Sequence, residues 1–343
     1  MKLLFVITSL ENGGAERVCA SLANYFSTKH EVEILYFSGE IFYKINSKVK
    51  LNKFTRNSRI PRLAAKLLAI RKHAKDADCV ISFMDSTNIL SIIATAFLGR
   101  KLIISEHSAH DFVGLKWRVL RRIFYPFASA LTVLNRNDFN YYSFVKNKAI
   151  IYNPSIFKPS FGGQENGGQK KMGGQKEKLI IFVGRLEPVK GCDIFLRALA
   201  LLKLDDFKLL VLGAGSQKKS LQSLSAKLGL KNLEFLGSVS DIQNYYKKAK
   251  IIVSSSRFEG LGNVLIESAF FDCIRVATPT AGALELLEDG KNGFISSDFS
   301  EQALAKAILK AINADESVLE NTRAESEKFS LENIAAQWWE LIK

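Results

Sequence analysis

Two glutamates, Glu259 and Glu267, are separated by seven residues where an apolar strand gives way to a helix. The strand is residues 251–254, and Gly260 and Gly262 lie between the two carboxylates. We expect Glu259 on the loop and Glu267 about two turns into the helix, with the helix N-terminus open to an anion. Carboxylates beside such an end suit a phosphate flanked by hydroxyl groups.

Two cations, Arg185 and Lys190, lie five residues apart on another strand-to-helix turn, bracketed by Gly184 and Gly191. Charge-assisted hydrogen bonds from such cations are what a diphosphate leaving group needs. The cations and the glutamates together predict a nucleotide-sugar site.

Apolar runs of strand length alternate with helix-length segments in two successive series. This alternation favours parallel sheets with helices on both faces. The runs lie at residues 3–7, 32–37, 79–83, 102–105, 130–134 and 149–152, and then at 179–183, 208–212, 233–236, 251–254, 274–278 and 293–295. We therefore predict an α/β chain of two Rossmann-like, doubly wound domains facing each other across a cleft, with ligands beyond the carboxyl ends of the strands.

The predicted boundaries are a first domain at residues 1–155, a linker at 156–178, a second domain at 179–325 and a C-terminal helix at 326–343 that crosses back to the first domain. A length of 343 residues suits two domains. The linker is rich in Gly, Gln and Lys and contains three Gly-Gly-Gln repeats, which cannot build a core.

The order of the motifs resembles that of the GT-B retaining glycosyltransferases with an E-x7-E motif (glycosyltransferase family 4 type, group 1). The match runs from the strand at 251–254 through Glu259 and Glu267 to residues 276–282 and Asn292-Gly293. This chain departs from the family pattern at residues 272–273, where a glycine is common, and at Gly282, where two glycines often occur. The resemblance implies that the first domain binds the acceptor and the second binds the nucleotide-sugar.

The resemblance also assigns roles to the charged residues. It implies that Glu259 contacts the hydroxyl groups of the donor sugar, that Glu267 contacts the ribose, and that Arg185 and Lys190 bind the diphosphate. His107 follows the strand at 102–105, where an imidazole can hydrogen-bond the donor sugar. His107 and Glu259 are the two predicted catalytic residues. The other implied donor contacts lie at strand ends or helix starts, and they are Gly14, Val239, Asn263 and Val264.

The first domain resembles bacterial N-acetylgalactosaminyltransferases that extend polyprenyl-diphosphate-linked oligosaccharides for protein N-glycosylation. This resemblance rests on residues 13–17, 42–44, 82–88, 103–108 and 121–126. It implies transfer of N-acetylgalactosamine, or another N-acetylhexosamine, from a UDP-sugar to a polyprenyl-diphosphate-linked glycan. The alternatives are a capsule or O-antigen glycosyltransferase with another hexose donor, a UDP-sugar epimerase of the same fold, and a non-catalytic sugar-nucleotide sensor.

Neither a metal nor another cofactor is expected, because Arg185 and Lys190 can stand in for the cation. Asp76-Ala-Asp78 has the metal motif of the other glycosyltransferase fold, but it precedes a strand instead of following one. Gly213-Ala-Gly215 imitates part of a dinucleotide fingerprint, but Lys218 occupies the place of the third glycine, which disfavours a dehydrogenase. Four widely separated cysteines indicate neither a zinc site nor a disulfide framework.

Positive charge is concentrated in the first domain. Residues 1–155 contain 23 Lys and Arg against 11 Asp and Glu, a net of +12, and the remaining residues contain 25 against 23, a net of +2. We find no nucleic-acid recognition motif. Anionic lipid, or a lipid-linked diphosphate, is the better candidate partner because the cations coincide with amphipathic stretches, so we expect contact with an anionic membrane surface. A basic amphipathic segment after Pro61 is predicted to contact it through Arg62, Lys66, Arg71, Lys72 and Lys75.

A second basic, aromatic-rich stretch at residues 116–126 could hold the protein on the same surface. The alternative is that the apolar stripe of the first segment, residues Leu63, Leu67, Ile70 and Ala74, packs on its own sheet while the lysines are solvated. The N-terminal apolar run is too short for a signal peptide, and residues 89–98 fall below the roughly 20 needed to span a bilayer. We therefore expect a cytoplasmic monomer associated peripherally with the inner face of the cytoplasmic membrane.

Overall fold

The computed structural model describes residues 1–55, 61–108, 110, 113–159 and 176–343. It divides into two compact units, one of Met1–Ile156 with Leu331–Lys343 and the other of Phe157–Ser330. The Gly-Gly-Gln repeats of the expected linker lie outside the described residues. Each unit is built around one parallel sheet, which confirms the predicted α/β class.

The elements of the first unit are, in chain order, β1 (Lys2–Ser9), α1 (Gly14–Phe26), β2 (Glu31–Ser38), β3 (Val49–Lys53), α2 (Arg62–Ala74), β4 (Cys79–Phe83), α3 (Asp85–Thr95), β5 (Lys101–Ser105), α4 (Leu115–Phe124), β6 (Ala130–Val133), α5 (Arg136–Tyr141), β7 (Lys148–Ile150) and α13 (Leu331–Ile342). The strand order is β3-β2-β1-β4-β5-β6-β7. The strand β3 was not predicted; it is an edge strand that alternates apolar and polar residues and is mostly exposed.

The side chains of β1 explain why helices cover both faces of this sheet. Leu3, Phe5 and Ile7 pack into one apolar cluster with residues of α1 and α13. Leu4 and Val6 pack into a second cluster with residues of α2 and α3. Successive side chains of a strand point to opposite faces, so an uninterrupted apolar strand requires a helical layer on each side.

The last helix of the chain, α13, completes the core of the first unit. Trp338 is buried there, with its ring centroid 6.1 Å from that of Phe83. Trp339 stacks on His30 at 4.5 Å between ring centroids. The two tryptophans therefore anchor α13 to the first unit, Trp338 against β4 and Trp339 against the residue before β2.

The elements of the second unit are β8 (Glu177–Val183), α6 (Cys192–Ala200), β9 (Lys208–Leu212), α7 (Lys218–Lys227), β10 (Leu233–Gly237), α8 (Ile242–Lys248), β11 (Ala249–Ser254), α9 (Asn263–Ser268), β12 (Ile274–Ala277), α10 (Ala281–Leu286), β13 (Phe294–Ile295), α11 (Glu301–Ile312) and α12 (Glu316–Ser326). The strand order is β10-β9-β8-β11-β12-β13. All six strands predicted for this half of the chain are present.

Each sheet has a topological switch point, where the chain changes the side on which it adds strands. In the second sheet the chain runs from β8 to β9 and β10, then returns to β11 on the other side of β8. In the first sheet the same change occurs between β1 and β4. Loops that leave such neighbouring strands diverge, and the crevice between them at the carboxyl edge is where parallel sheets bind ligands.

Candidate active site

The side chains of Lys190 and Glu259 form an ion pair at the switch point of the second sheet. Lys190 ends the 3-10 turn Pro188–Lys190 that follows β8, and Glu259 lies on the loop that follows β11. The hydroxyl of Ser256 donates to the same carboxylate oxygen at 3.2 Å. Both charged side chains remain partly exposed, so a ligand in the crevice can contact them.

Backbone contacts hold these two loops together. The backbone N–H of Arg257 donates to the carbonyl of Val189 at 2.8 Å, and the Ser255 hydroxyl donates to the carbonyl of Gly191 at 2.8 Å. Gly191 has φ of +62°, and a Cβ atom there would lie 2.0 Å from the Ser255 carbonyl oxygen. Only glycine tolerates both conditions, so Gly191 lets the two loops approach closely enough for Lys190 to reach Glu259.

Glu267 is buried on α9, where its Oε2 accepts a hydrogen bond from the Tyr246 hydroxyl at 2.8 Å. The prediction that it lies about two turns into the helix is wrong. The helix begins only at Asn263, after its N-cap Gly262, so Glu267 is little more than one turn from the start. Asn263 and Val264, two predicted donor contacts, are the first residues of α9 and are half-buried.

A fully buried arginine supports α9 from β12. The Arg275 guanidinium donates to the carbonyls of Leu265 at 3.3 Å and Asn292 at 2.8 Å. Burial lowers the pKa of Arg275 to about 10, which leaves the guanidinium charged at neutral pH. A cation at helical carbonyls is favourable, so Arg275 stabilises the short helix that carries Glu267. In the sequence, its only signal is a charged residue inside an apolar strand.

Arg185, the second predicted diphosphate ligand, is exposed just after β8. Its neighbour Glu187 accepts hydrogen bonds from the backbone N–H of Ser216 at 2.9 Å and from the Ser216 hydroxyl at 2.6 Å. These bonds, with a smaller contribution from the charge of Arg185, lower the pKa of the Glu187 carboxyl. They fasten the loop that carries Arg185 to the loop after β9.

The loops after β8, β9 and β10 meet at glycines. A Cβ atom at Gly213, whose φ is +148°, would lie 1.8 Å from the carbonyl oxygen of Gly184. The N–H of Gly213 donates to the carbonyl of Gly237 at 2.8 Å. Val239, a predicted donor contact, is half-buried two residues beyond Gly237. The glycines that imitate a dinucleotide fingerprint therefore serve the close packing of these loops.

In the first unit, Gly14 and His107 both lie at the carboxyl edge of the sheet, Gly14 at the start of α1 and His107 just beyond β5. The imidazole Nε2 of His107 is 3.0 Å from the Ser105 hydroxyl, and the ring centroid is 5.6 Å from that of Phe83. Burial lowers the pKa of His107 to about 4, so its imidazole is neutral at neutral pH. Its buried Nδ1 has no hydrogen-bond partner among the described residues.

Glu106, which the sequence analysis did not single out, is buried beside His107. Its carboxylate accepts hydrogen bonds from the Arg121 guanidinium at 2.9 Å, from the Asn88 amide at 2.8 Å and from the Tyr125 hydroxyl. Burial raises the pKa of Glu106 to about 7, and the charge of Arg121 opposes that shift. A carboxyl next to the predicted catalytic histidine was the available signal in the sequence, but the residues that bind it come from distant segments.

Two of the five basic residues predicted to face a membrane bind within the first unit. The Arg71 guanidinium donates to the carbonyls of Ala94 at 2.9 Å and Ala96 at 3.0 Å, at the end of α3. The ammonium of Lys66 lies 4.6 Å from the centroid of the Phe37 ring. The basic residues of this segment whose side chains are exposed are Arg62, Lys72 and Lys75.

Most of the apolar stripe of α2 packs on its own sheet. Ile70 and Ala74 are buried and Leu67 is partly buried against the same cluster, as the packing alternative predicts, whereas Leu63 is exposed. On α4, in contrast, residues spaced by four present an exposed apolar face. Leu115 is 77% exposed, Val119 49% and Ile123 53%. The second stretch identified in the sequence thus has the more apolar surface.

Among the residues that the structure describes, no helix has the length and apolar character needed to cross a membrane. Within the same residues, no three His, Cys, Asp or Glu side chains group as metal ligands would. In the Asp76-Ala-Asp78 triplet, Asp78 accepts a hydrogen bond from the backbone N–H of Lys2 at 2.7 Å, next to the start of β1.

Two Rossmann-like units, each built around a parallel sheet, are the architecture of a GT-B glycosyltransferase. The family Glycosyl transferases group 1 matches residues 168–328, and Glycosyltransferase Family 4 matches residues 12–140. The chain belongs to these glycosyltransferases, which confirms the family inferred from the E-x7-E motif.

Two relatives from Campylobacter jejuni subsp. jejuni serotype O:2 match almost end to end. A GalNAc-alpha-(1->4)-GalNAc-alpha-(1->3)-diNAcBac-PP-undecaprenol alpha-1,4-N-acetyl-D-galactosaminyltransferase is 36% identical over 360 residues, covering 100% of this chain and 98% of its own. An N-acetylgalactosamine-N,N'-diacetylbacillosaminyl-diphospho-undecaprenol 4-alpha-N-acetylgalactosaminyltransferase is 30% identical, covering 92% of this chain and 91% of its own. Among solved structures, Anabaena HepE in complex with UDP has a TM-score of 0.82 at 22% identity, covering 99% of both chains.

Proposed function

We propose that this glycosyltransferase moves an N-acetylhexosamine, N-acetylgalactosamine in the first instance, from a UDP-sugar to a polyprenyl-diphosphate-linked glycan. The ion pair of Lys190 and Glu259 at the switch point of the second sheet is the observation that carries this proposal. It brings a cation suited to a diphosphate within contact of a carboxylate suited to sugar hydroxyls. The sugar and the acceptor follow from the two Campylobacter relatives, whose names state both.

The donor is held mainly by the second unit. Lys190 and the exposed Arg185 bind the diphosphate, and Glu259 accepts hydrogen bonds from the sugar hydroxyls. Glu267, fixed by Tyr246, accepts from the ribose, while Val239, Asn263 and Val264 contact the nucleoside end. The two cations supply the positive charge for the departing diphosphate, so we propose that no metal ion takes part.

Transfer proceeds with retention at the anomeric carbon. The acceptor hydroxyl oxygen forms a bond to that carbon on the face from which the UDP oxygen leaves, and its proton passes to the departing diphosphate. Lys190 and Arg185 stabilise the negative charge that develops there. In the first unit, we propose that Gly14, at the start of α1, and the neutral imidazole of His107 are donor-sugar contacts.

The acceptor is lipid-linked, and we propose that the first unit meets an anionic membrane at the inner face of the cytoplasmic membrane. Arg62, Lys72 and Lys75 are exposed on and just after α2, and α4 presents the apolar residues Leu115 and Ile123. Each cation near an anionic surface contributes about 1 kcal/mol. The protein acts there as a monomer and binds no nucleic acid.

A donor and acceptor screen tests the reaction. The purified enzyme is incubated with UDP-N-acetylgalactosamine, UDP-N-acetylglucosamine, UDP-galactose or UDP-glucose, with and without a polyprenyl-diphosphate glycan ending in N-acetylgalactosamine, and with and without EDTA. We expect UDP release and an α-linked N-acetylhexosamine product only when the acceptor is present, unchanged by EDTA and lost in Glu259→Ala. Conversion of the UDP-sugar without acceptor would instead indicate an epimerase, and UDP binding without turnover would indicate a sensor.

Vesicle flotation tests the membrane contact. We expect the enzyme to float with vesicles containing phosphatidylglycerol and the combined change of Arg62, Lys72 and Lys75 to Gln to weaken that association. Changing Lys178, Lys208 and Lys248 to Gln is the matched control, since these three lysines are exposed in the second unit. Equal loss of flotation in both triple variants would contradict the proposed surface.

A further inference from the structure

Arg121 is the single buried residue of α4, all ten residues of which are described. Its side chain is 0% exposed, although the helix presents Leu115 and Ile123 to solvent on its other side. Burying a guanidinium is costly unless every charge and donor finds a partner. The partners of Arg121 therefore indicate why an arginine is placed there.

The guanidinium of Arg121 connects three segments of the first unit. It donates to the carboxylate of Asp85, the first residue of α3, and to Glu106 Oε2 at 2.9 Å, one residue before His107. Its remaining terminal nitrogen donates to the hydroxyl of Tyr142, just after α5. Asp85 follows β4 and Glu106 follows β5, so one side chain fixes two neighbouring strand ends at the edge where ligands bind.

Glu106 is held equally firmly on its other side. Its Oε1 accepts from the Tyr125 hydroxyl and from the Asn88 amide at 2.8 Å. All three side chains that contact the carboxylate donate hydrogen bonds to it, and an ionised carboxylate suits them best because it is an acceptor only and carries no proton that needs an acceptor of its own. His107 is the next residue in the chain, and its imidazole Nε2 lies 3.0 Å from the Ser105 hydroxyl.

We propose that Arg121 is a positioning residue that, through Glu106 and Asp85, fixes the imidazole of His107 and the start of α3 in the geometry that transfer requires. This inference rests on the proposed function, because it takes His107 as a residue that contacts the donor sugar. Arg121, whose side chain is 0% exposed, acts only through the side chains of Asp85, Glu106 and Tyr142 that it contacts. A lysine at this position keeps the charge but cannot donate to Asp85, Glu106 and Tyr142 together, since it lacks the planar fork of the guanidinium.

The test compares Arg121→Lys with Arg197→Lys. Arg197 is an exposed residue of α6, outside the proposed donor contacts and the basic stretches of the first unit, so the same substitution there disturbs no buried guanidinium. A misplacement of about 1 Å at a reacting centre costs roughly 100-fold in rate. We expect Arg121→Lys to lower kcat by about that factor with little change in the KM for the UDP-sugar, and Arg197→Lys to leave both unchanged.

A second readout is the pH profile of kcat. Glu106 faces Asp85, Arg121, Tyr125 and Tyr142, and its ionised form is the one that accepts all of the donated bonds. We expect kcat of the unsubstituted enzyme to fall as the pH is lowered through about 7, the pKa of Glu106, and Glu106→Gln to remove that inflection while lowering kcat. A side chain that only maintained the fold would lower the amount of active enzyme without changing the shape of this profile.

Thermal denaturation of each variant serves as the folding control, since Arg121 and Glu106 both lie in the first unit. If Arg121→Lys yields too little folded protein for kinetics, the profile of Glu106→Gln decides. The inference is overturned if the unsubstituted enzyme transfers sugar but Arg121→Lys matches Arg197→Lys in kcat, or if Glu106→Gln keeps the inflection. Failure of the unsubstituted enzyme with every donor and acceptor would instead contradict the proposed function.

Discussion

Replacing Lys190 with methionine removes the ammonium that contacts Glu259 and leaves a side chain of similar length. Since both side chains of the pair are partly exposed, the change is expected to cost folding at most about 1 kcal/mol. The donor complex is affected far more, because an ammonium that donates to a diphosphate contributes roughly 1.5 to 3 kcal/mol. With about 1.36 kcal/mol per factor of ten, kcat/KM should fall roughly 10- to 150-fold.

The assay is continuous UDP release at saturating lipid-linked acceptor, with thermal denaturation measured on the same preparations. Lys178→Met is the matched control, because Lys178 is an exposed lysine of the same unit paired with Asp206. We expect a large loss of kcat/KM in Lys190→Met, none in Lys178→Met, and similar melting temperatures. If Lys190→Met loses no more activity than Lys178→Met, the ion pair with Glu259 is a surface contact and the donor site lies elsewhere.

Three further predictions concern stability. Gly191→Ala should lower the free energy of unfolding by about 1–3 kcal/mol or more, because the new Cβ meets both a positive φ and the Ser255 carbonyl oxygen. Gly229→Ala, at φ of +71° with open space around Cβ, should lower it only by the cost of the backbone strain, and thermal denaturation would compare the two. Trp338→Ala, in the core of the first unit, should cost about 3–5 kcal/mol in urea unfolding, and half-buried Trp339→Ala distinctly less; equal costs would contradict the packing of α13. Burial raises the pKa of Glu106 from 4.5 to about 7, so its contribution to the free energy of unfolding is fully present below pH 4.5 and is lost as the pH rises through about 7. Because a glutamine does not titrate, the free energy of unfolding of Glu106→Gln should rise by roughly 3 kcal/mol relative to that of the unsubstituted protein between these pH values, and parallel pH curves would refute this.

The architecture was predictable because buried parallel strands are almost continuously apolar. Residues 79–83 and 208–212 were predicted with the bounds that β4 and β9 have, and the other predicted strands differ from the observed bounds by one or two residues at one or both ends. The edge strand β3 was missed because its exposed face requires polar residues, which hide it from a search for apolar runs.

The helical charges were harder to assign from the sequence. Arg71 and Lys66 follow the basic pattern of an exposed helix face, yet the first donates to carbonyls at the end of α3 and the second lies over an aromatic ring. Long basic side chains can bend back to cover their own unit, and periodicity does not reveal which ones do. The same limit concealed Arg121, which lies among basic residues in the sequence but is buried in the fold.

The candidate site was likewise predictable only in part. Lys190 and Glu259 were predictable together because each was expected on the turn that follows a strand. The strand ends of one parallel sheet meet at one edge, so the two side chains come together there. The partners Ser256 and Tyr246 were not predicted, because a hydroxyl carries no signal until the fold sets it beside a carboxylate.

The pKa of His107 separates two roles that the sequence left together. A histidine at a strand end could be an imidazolium that neutralises phosphate or a neutral ring that hydrogen-bonds a hydroxyl. Burial lowers the pKa of His107 to about 4, so the ring is neutral at neutral pH and contributes no charge. In the proposed mechanism, the positive charge for the leaving group therefore comes from Lys190 and Arg185, and His107 orients a polar group of the sugar. His107→Asn should therefore lower kcat without weakening UDP binding measured by calorimetry, whereas a loss of UDP affinity would show that His107 contributes charge to the diphosphate.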